Sequence, residues 1–237
     1  MRFNLARSRT TGGRHREARL PRRRARSRRE PGPCPDPFLH RPAGPEADGK
    51  VSVEKALKDR RSLRAPSPDA IALADVGQLC WAAQGATDDK GHRTTPSAMA
   101  TYPLDVYVLA GSVTGLAPGL YRYDSARHAL APLKPGDRRA ELVDKAIGQD
   151  WIKKAPAVFF VTGTVARATP KIKDEARARD FVFQESGLAA QAFFLEAVAL
   201  GLGSTFVGGF KPDPTREFLA LPAGEVPLAV LPVGKRP

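Results

Sequence analysis

The chain has 237 residues, 42% of them hydrophobic, which suffices for one substantial core and points to a single folded domain. Its formal charge of +13 is gathered at one end, because residues 1–45 hold 13 Arg and no Lys against Glu17, Glu30 and Asp36, and the remainder is nearly balanced. No apolar run approaches the roughly 18 residues of a membrane span or the roughly 7–15 of a secretory signal, and two cysteines with four scattered histidines support neither a disulfide framework nor a metal site, so a cytoplasmic setting is expected.

Residues 1–47 read as a disordered, Arg/Pro-rich tail, since they combine Gly12-Gly13 and repeated prolines with almost no apolar periodicity. Their Arg22-Arg23-Arg24 and Arg28-Arg29 runs could bind nucleic acid or an anionic surface through counterion release, although a nucleic-acid partner is not the favoured expectation. The alternatives are a solvated tail or a start placed too far upstream. The folded domain is taken as 48–237.

Ser52 is suited to cap a helix with Val53, Ala56, Leu57 and Arg60 on one face. Ser67-Pro68 then opens a second helix carrying Ala72, Val76, Leu79, Cys80 and Ala83, which ends near Gly85. Thr87 to Thr95 is a loop leading to a Pro96-Ser97 turn. Val106–Ala110 and Gly119–Asp124 are strands, the second returning through Ser125–His128 into Ala129–Leu133, whose Pro132 favours a sheet edge. A helix starts at Asp137. The unbroken apolar run Ala157–Val161 predicts a strand covered on both faces.

Asp174 to Leu200 is the longest helical pattern, spanning roughly 40 Å, and Gly187 inside it suggests close approach by a backbone or ligand. Gly201-Leu202-Gly203 stops it; because this follows a helix and precedes a strand, it is a helix end and not a dinucleotide fingerprint. Ser204–Val207 is a short strand, Asp213–Leu221 a helix and Val226–Val233 the last strand. Without regular βαβ alternation, the class is α+β.

The chemistry-bearing signal is Arg60-Arg61-Ser62-Leu63-Arg64, where three guanidiniums and a hydroxyl at a helix end match the oxygens of a phosphate. The bland reading is a solvated arginine-rich helix end. No Ser/His/Asp, HExxH or Walker-type motif accompanies it.

Eight segments in order carry a family resemblance: Arg60–Arg64, Gln78–Gly85, Pro96-Ser97-Ala98 with Tyr102-Pro103-Leu104, Gly119–Tyr123, Glu185-Ser186-Gly187, Leu200–Gly203, Gly208-Gly209-Phe210 and Pro232-Val233-Gly234. Over roughly residues 48 to 237 the chain resembles the nitroreductase superfamily, most of all its SagB-type branch of flavin-dependent dehydrogenases. It departs from that branch at Met99 where Gly is usual, at Leu188 for His, at Ala192 for Asn, and at Lys171-Ile172-Lys173-Asp174 for a Lys-Tyr pairing.

The resemblance implies a nitroreductase-like fold, a central, mostly antiparallel sheet flanked by helices, in an intertwined homodimer with FMN at the subunit interface. It implies ping-pong transfer from NAD(P)H to a small electrophile such as a nitroaromatic or quinone, or oxidation of a heterocycle. Arg60, Arg61, Ser62 and Arg64 would hold the phosphate and ribityl chain. Pro96, Ser97 and Ala98 would line the isoalloxazine, Gly208 and Gly209 would bring backbone N–H groups to its N5 region, and Lys235 and Arg236 would reach the phosphate or end in solvent. No proton-transferring residue is nominated; Tyr102 is the nearest candidate for substrate stacking or proton donation, with a packed aromatic as the favoured alternative. Competing readings are a nucleic-acid-associated protein acting through the tail and a flavin-binding partner without turnover.

Overall fold

The computed structural model describes residues 39–236. A six-stranded sheet of order β5-β4-β2-β6-β8-β7 runs antiparallel throughout. Its strands are β2 (Leu104–Ala110), β4 (Gly119–Asp124), β5 (Ala129–Pro135), β6 (Ala157–Thr164), β7 (Leu202–Ser204) and β8 (Glu225–Lys235). Among the described residues, five α-helices flank it: α1 (Val53–Asp59), α2 (Leu73–Gln84), α3 (Arg139–Leu142), α4 (Glu175–Ala199) and α5 (Pro212–Leu219). A separate parallel pair joins β1 (Ile71–Ala72) to β3 (Val113–Thr114).

The unbroken apolar run of β6 is explained by its place between β2 and β8 with helices on both sides. Phe159 and Val161 face α2 and α4, in a core with Leu79, Val182, Ala189 and Phe193, and the Phe159 and Phe193 rings meet edge-on at 4.8 Å. Val158 and Phe160 face the opposite way, toward Leu142, Ile147, Ile152, Phe218 and Leu219. Gly163 on β6 leaves room for Val182 and Leu228, which would lie 2.6 and 2.7 Å from an added Cβ.

Helix α4 has 25 residues, so it is roughly 37 Å long. The Asp174 carboxylate accepts the Arg177 N–H at its start, and Gly201, at φ 73°, ends it. No helix among the described residues is long and apolar enough to cross a membrane.

Several expectations are corrected. The second helix begins at Leu73 and not at Ser67-Pro68, because Ile71 and Ala72 pair with β3 and the Asp75 carboxylate accepts the Ala72 N–H at 3.0 Å. The helix expected from Asp137 is one α-turn followed by a π-turn, Val143–Ile147, closed by Gly148 at φ 72°. The strand expected at 204–207 is β7, with only Val207 pairing again, to Val230.

The segment just before residue 47 touches the body. His40 pairs with Leu130 on β5, Pro42 lies where a Cβ on Gly77 would have to stand, and the Glu46 backbone exchanges two hydrogen bonds with the Gln78 side chain. Residues 39–46 are therefore attached to the body, while the tail reading of residues 1–38 lies outside the described residues. Phe193→Ala should lower stability by about 3–5 kcal/mol, because it removes a ring from the sealed contact between β6 and α4; urea denaturation measures this, and an unchanged midpoint contradicts the packing described.

Candidate functional site

After α1 the chain turns along the adjacent ends of β7 and β8. The Leu63 N–H donates to Ser204 O and the Ser67 N–H to Lys235 O, both at 3.0 Å, and Ser62 forms a parallel bridge with Ser204. Two glycines permit this approach. A Cβ on Gly203 would lie 2.8 Å from Leu63 Cδ2, and one on Gly234 would lie 2.8 Å from Pro66 Cβ. The Arg236 guanidinium donates to Asp59 O at 3.1 Å, from 177 residues away.

Arg60, Arg61, Ser62, Arg64, Lys235 and Arg236 are thus gathered at one end of the sheet. Arg61 turns back, donating to Lys58 O at 2.8 Å and Arg60 O at 2.7 Å, where it satisfies carbonyls at the C-terminal end of α1. Arg60, Arg64 and Lys235 form no ion pair or side-chain hydrogen bond among the described residues. The neighbouring Asp59 carboxylate is taken by Lys55 at 2.6 Å, which with Lys58 and Arg236 holds it below the usual carboxylate range. Cations so grouped repel one another, and a bound anion relieves that repulsion.

From Ser204 the chain continues along the sheet edge. Val207 and Val230 exchange both backbone hydrogen bonds, at 2.9 and 3.2 Å. Gly208 is four residues beyond Ser204, so at most about 14 Å separates them. It lines a groove of about 650 Å³ with Arg179 and Phe183 of α4, Phe210 and Val226–Leu228. Gly208 and Gly209 are exposed, and nothing lies within 4 Å of where a Cβ on Gly209 would stand.

Pro96, Ser97 and Ala98 occupy a third place. The Ala98 N–H donates to Glu185 Oε1 at 2.8 Å, and Ser97 Oγ accepts the Tyr102 N–H at 2.9 Å. The Thr95 hydroxyl anchors the approach by donating to Ala83 O at 2.7 Å. Met99, Ala100 and Tyr102 take φ values of 53°, 50° and 45°, left-handed conformations that side chains disfavour. The Arg93 guanidinium lies 5.1 Å from the centre of the Tyr102 ring.

These turn residues do not join the other two groups within one chain. Phe183 and Arg179 face the Gly208 groove, whereas Glu185, two residues on, points about 200° away around the helix. Glu185 also precedes the end of α4 by about 20 Å of helix axis, and that end leads into β7 and the arginine cluster. Glu185 belongs to a segment marked by sequence but was not nominated as a site residue. The available signal was a carboxylate on the apolar face shared by Val182 and Ala189, all three buried. Burial raises its pKa, against the lowering effect of the hydrogen bond from the Ala98 N–H. Among the described residues, no group of His, Cys, Asp and Glu is arranged to hold a metal.

Residues 57–235 match the nitroreductase family. The chain belongs to that family. As a nitroreductase-family protein it is an oxidoreductase. It is 35% identical over 187 residues to MJ1384 of Methanocaldococcus jannaschii, a protein named for the nitroreductase family, covering 79% of this chain and 92% of the relative. A crystal structure of a nitroreductase-named protein from Ralstonia eutropha JMP134 superposes with a TM-score of 0.72 at 25% identity, over 84% of this chain and 89% of that one. The fold is also shared with a chain of the Escherichia coli microcin synthetase McbBCD complex, which was solved with truncated pro-MccB17 bound; the TM-score is 0.61 at 18% identity, over 82% and 76% of the two chains.

Two measurements check this geometry. Gly203→Ala should push Leu63 and the arginine segment off β7, lowering stability by about 1–3 kcal/mol in denaturant titration; a neutral result contradicts the contact. Because the folded pKa of Glu185 is raised, its ionisation opposes folding, and stability linked to this group falls as pH rises from its unfolded value through its folded value. Glu185→Gln should therefore gain stability relative to wild type from pH 4 to pH 7, which melting curves at the two pH values would show; a constant difference contradicts it.

Proposed function

We propose that this nitroreductase-family oxidoreductase binds FMN and carries electrons from NAD(P)H to a small electrophile, a nitroaromatic or a quinone, in two successive half-reactions. The observation that carries the reading is the pair of features on one sheet edge: grouped cations beside Ser62 at one end, and the open backbone of Gly208-Gly209 at the other. An elongated ligand with an anionic head and a flat ring fits that layout. Arg60, Arg64, Lys235 and Arg236 would take the phosphate, with Ser62 beside them, while Arg61 would add field from its helix-end position. When bound, FMN supplies the hydride and electron chemistry.

Gly208 and Gly209 would donate backbone N–H groups to the N5 edge of the ring, which a neighbouring side chain would obstruct. Pro96, Ser97 and Ala98, on the far face of α4, would reach the ring of a second copy, so the complete site would be a homodimer's. Exposed Val53, Leu57, Phe183 and Leu188 on α1 and α4 support that arrangement as apolar surface available for a partner. Oxidation of a heterocycle in a peptide is the narrower version of the same reading. The SagB-type motifs and the fold shared with the microcin synthetase chain favour it, whereas Lys171-Ile172-Lys173-Asp174 offers no Lys-Tyr pair.

Purified protein should be yellow, or become so with FMN, and NADH or NADPH should bleach it under anaerobic conditions. A chain that stays colourless after reconstitution overturns the reading, and a bound flavin that neither nucleotide reduces favours a partner without turnover. Arg64→Ala should weaken FMN binding by about 10–100-fold, the loss of a charge-assisted hydrogen bond. Unchanged affinity in a fluorescence titration removes Arg64 from the site.

A further inference from the structure

We propose that Glu185 is a positioning residue that clamps the Ser97–Tyr102 turn in its left-handed shape and thereby sets the surface this turn offers to FMN, a proposal that rests on the FMN reading above. Glu185 is 5% exposed, and among the described residues its carboxylate has no cationic partner within ion-pair distance. Instead Oε1 accepts the N–H of Ala98, 87 residues earlier in the chain, at 2.8 Å. A buried carboxylate without a cation is costly unless hydrogen bonds compensate it, and a bond to an ionised acceptor is about twice as strong as a neutral one.

The turn requires such a hold. Met99, Ala100 and Tyr102 all lie in the left-handed region without being glycine, and each such residue costs roughly 1–3 kcal/mol unless its surroundings over-determine it. The constraints come from three directions. Glu185 fixes the Ala98 N–H from beneath. Ser97 Oγ closes the loop by accepting the Tyr102 N–H, and the Thr101 hydroxyl donates to Ala98 O at 3.0 Å. From outside, Lys171 Nζ donates to Met99 O at 2.7 Å. Lys171 is exposed and each hydroxyl bond is local, so Glu185 is the tie that fastens the turn to the core helix. With the Ala98 N–H directed into the protein, Pro96 and Met99 are left facing outward, and both are exposed.

The test uses the full chain with Glu185→Gln, Glu185→Leu and Glu185→Asp. Amide hydrogen exchange over residues 96–102 reads the clamp without cofactor, and FMN fluorescence titration reads its consequence. The glutamine variant keeps an acceptor oxygen in place but loses the charge, so its exchange at Ala98 and its FMN affinity should fall between those of wild type and the leucine variant. The leucine variant should exchange rapidly at Ala98 and bind FMN at least about tenfold more weakly, the loss of one charged hydrogen bond. Aspartate retains the charge but withdraws it by one methylene, and its losses should follow those of leucine; this keeps the test decisive if the leucine variant does not fold.

Unaltered exchange in leucine and aspartate variants overturns the clamp. Faster exchange with wild-type FMN affinity overturns the link to the cofactor and leaves a purely structural tie. A wild-type chain that binds no FMN overturns the cofactor link together with the functional reading. That failure is distinguishable, because exchange at Ala98 is measured without FMN.

Discussion

Everything at the basic end of this protein depends on how closely one segment of chain approaches another. Residues 62–67 lie against β7 and β8 only because Gly203 and Gly234 have no side chains to hold them away. Backbone hydrogen bonds from Leu63 and Ser67 then fix the segment, with Leu63 and Pro66 packed beneath it. The guanidiniums are carried along by this backbone docking, against their own repulsion.

Helix α4 imposes a second constraint. It packs against the sheet and against α2, and it presents one face toward Gly208 and another toward the Ser97–Tyr102 turn. A rigid element of this length keeps the two faces apart in one chain. The proposal of a site completed by two copies rests on this division along α4.

Much of this was legible in the sequence, for identifiable reasons. The apolar run at Ala157–Val161 could only be a doubly covered strand, and Pro132 marked an edge, where β5 lies. Arg60–Arg64 stood out because guanidinium chemistry is carried by residue type, and Arg236 was connected to it by resemblance. What remained hidden was set by contacts between distant residues. The Glu185 to Ala98 bond crosses 87 positions and leaves no local pattern. Asp75 outcompeted the Ser67-Pro68 start signal because Ile71 and Ala72 were drawn into pairing with β3. Arg61 looked equivalent to its neighbours, yet its position relative to the end of α1 turned it onto carbonyls. The attachment of residues 39–46 was masked by a composition typical of a tail.

Both outer strands of the sheet are poor templates for recruiting another strand. On β5, His40 occupies Leu130, and Pro132 and Pro135 lack the N–H groups a continuous ladder needs. At the opposite margin β7 is three residues long, and the chain at Ser62 and Leu63 already engages Ser204. Growth of the sheet by lateral addition at these margins is thus blocked, which guards against runaway polymerisation.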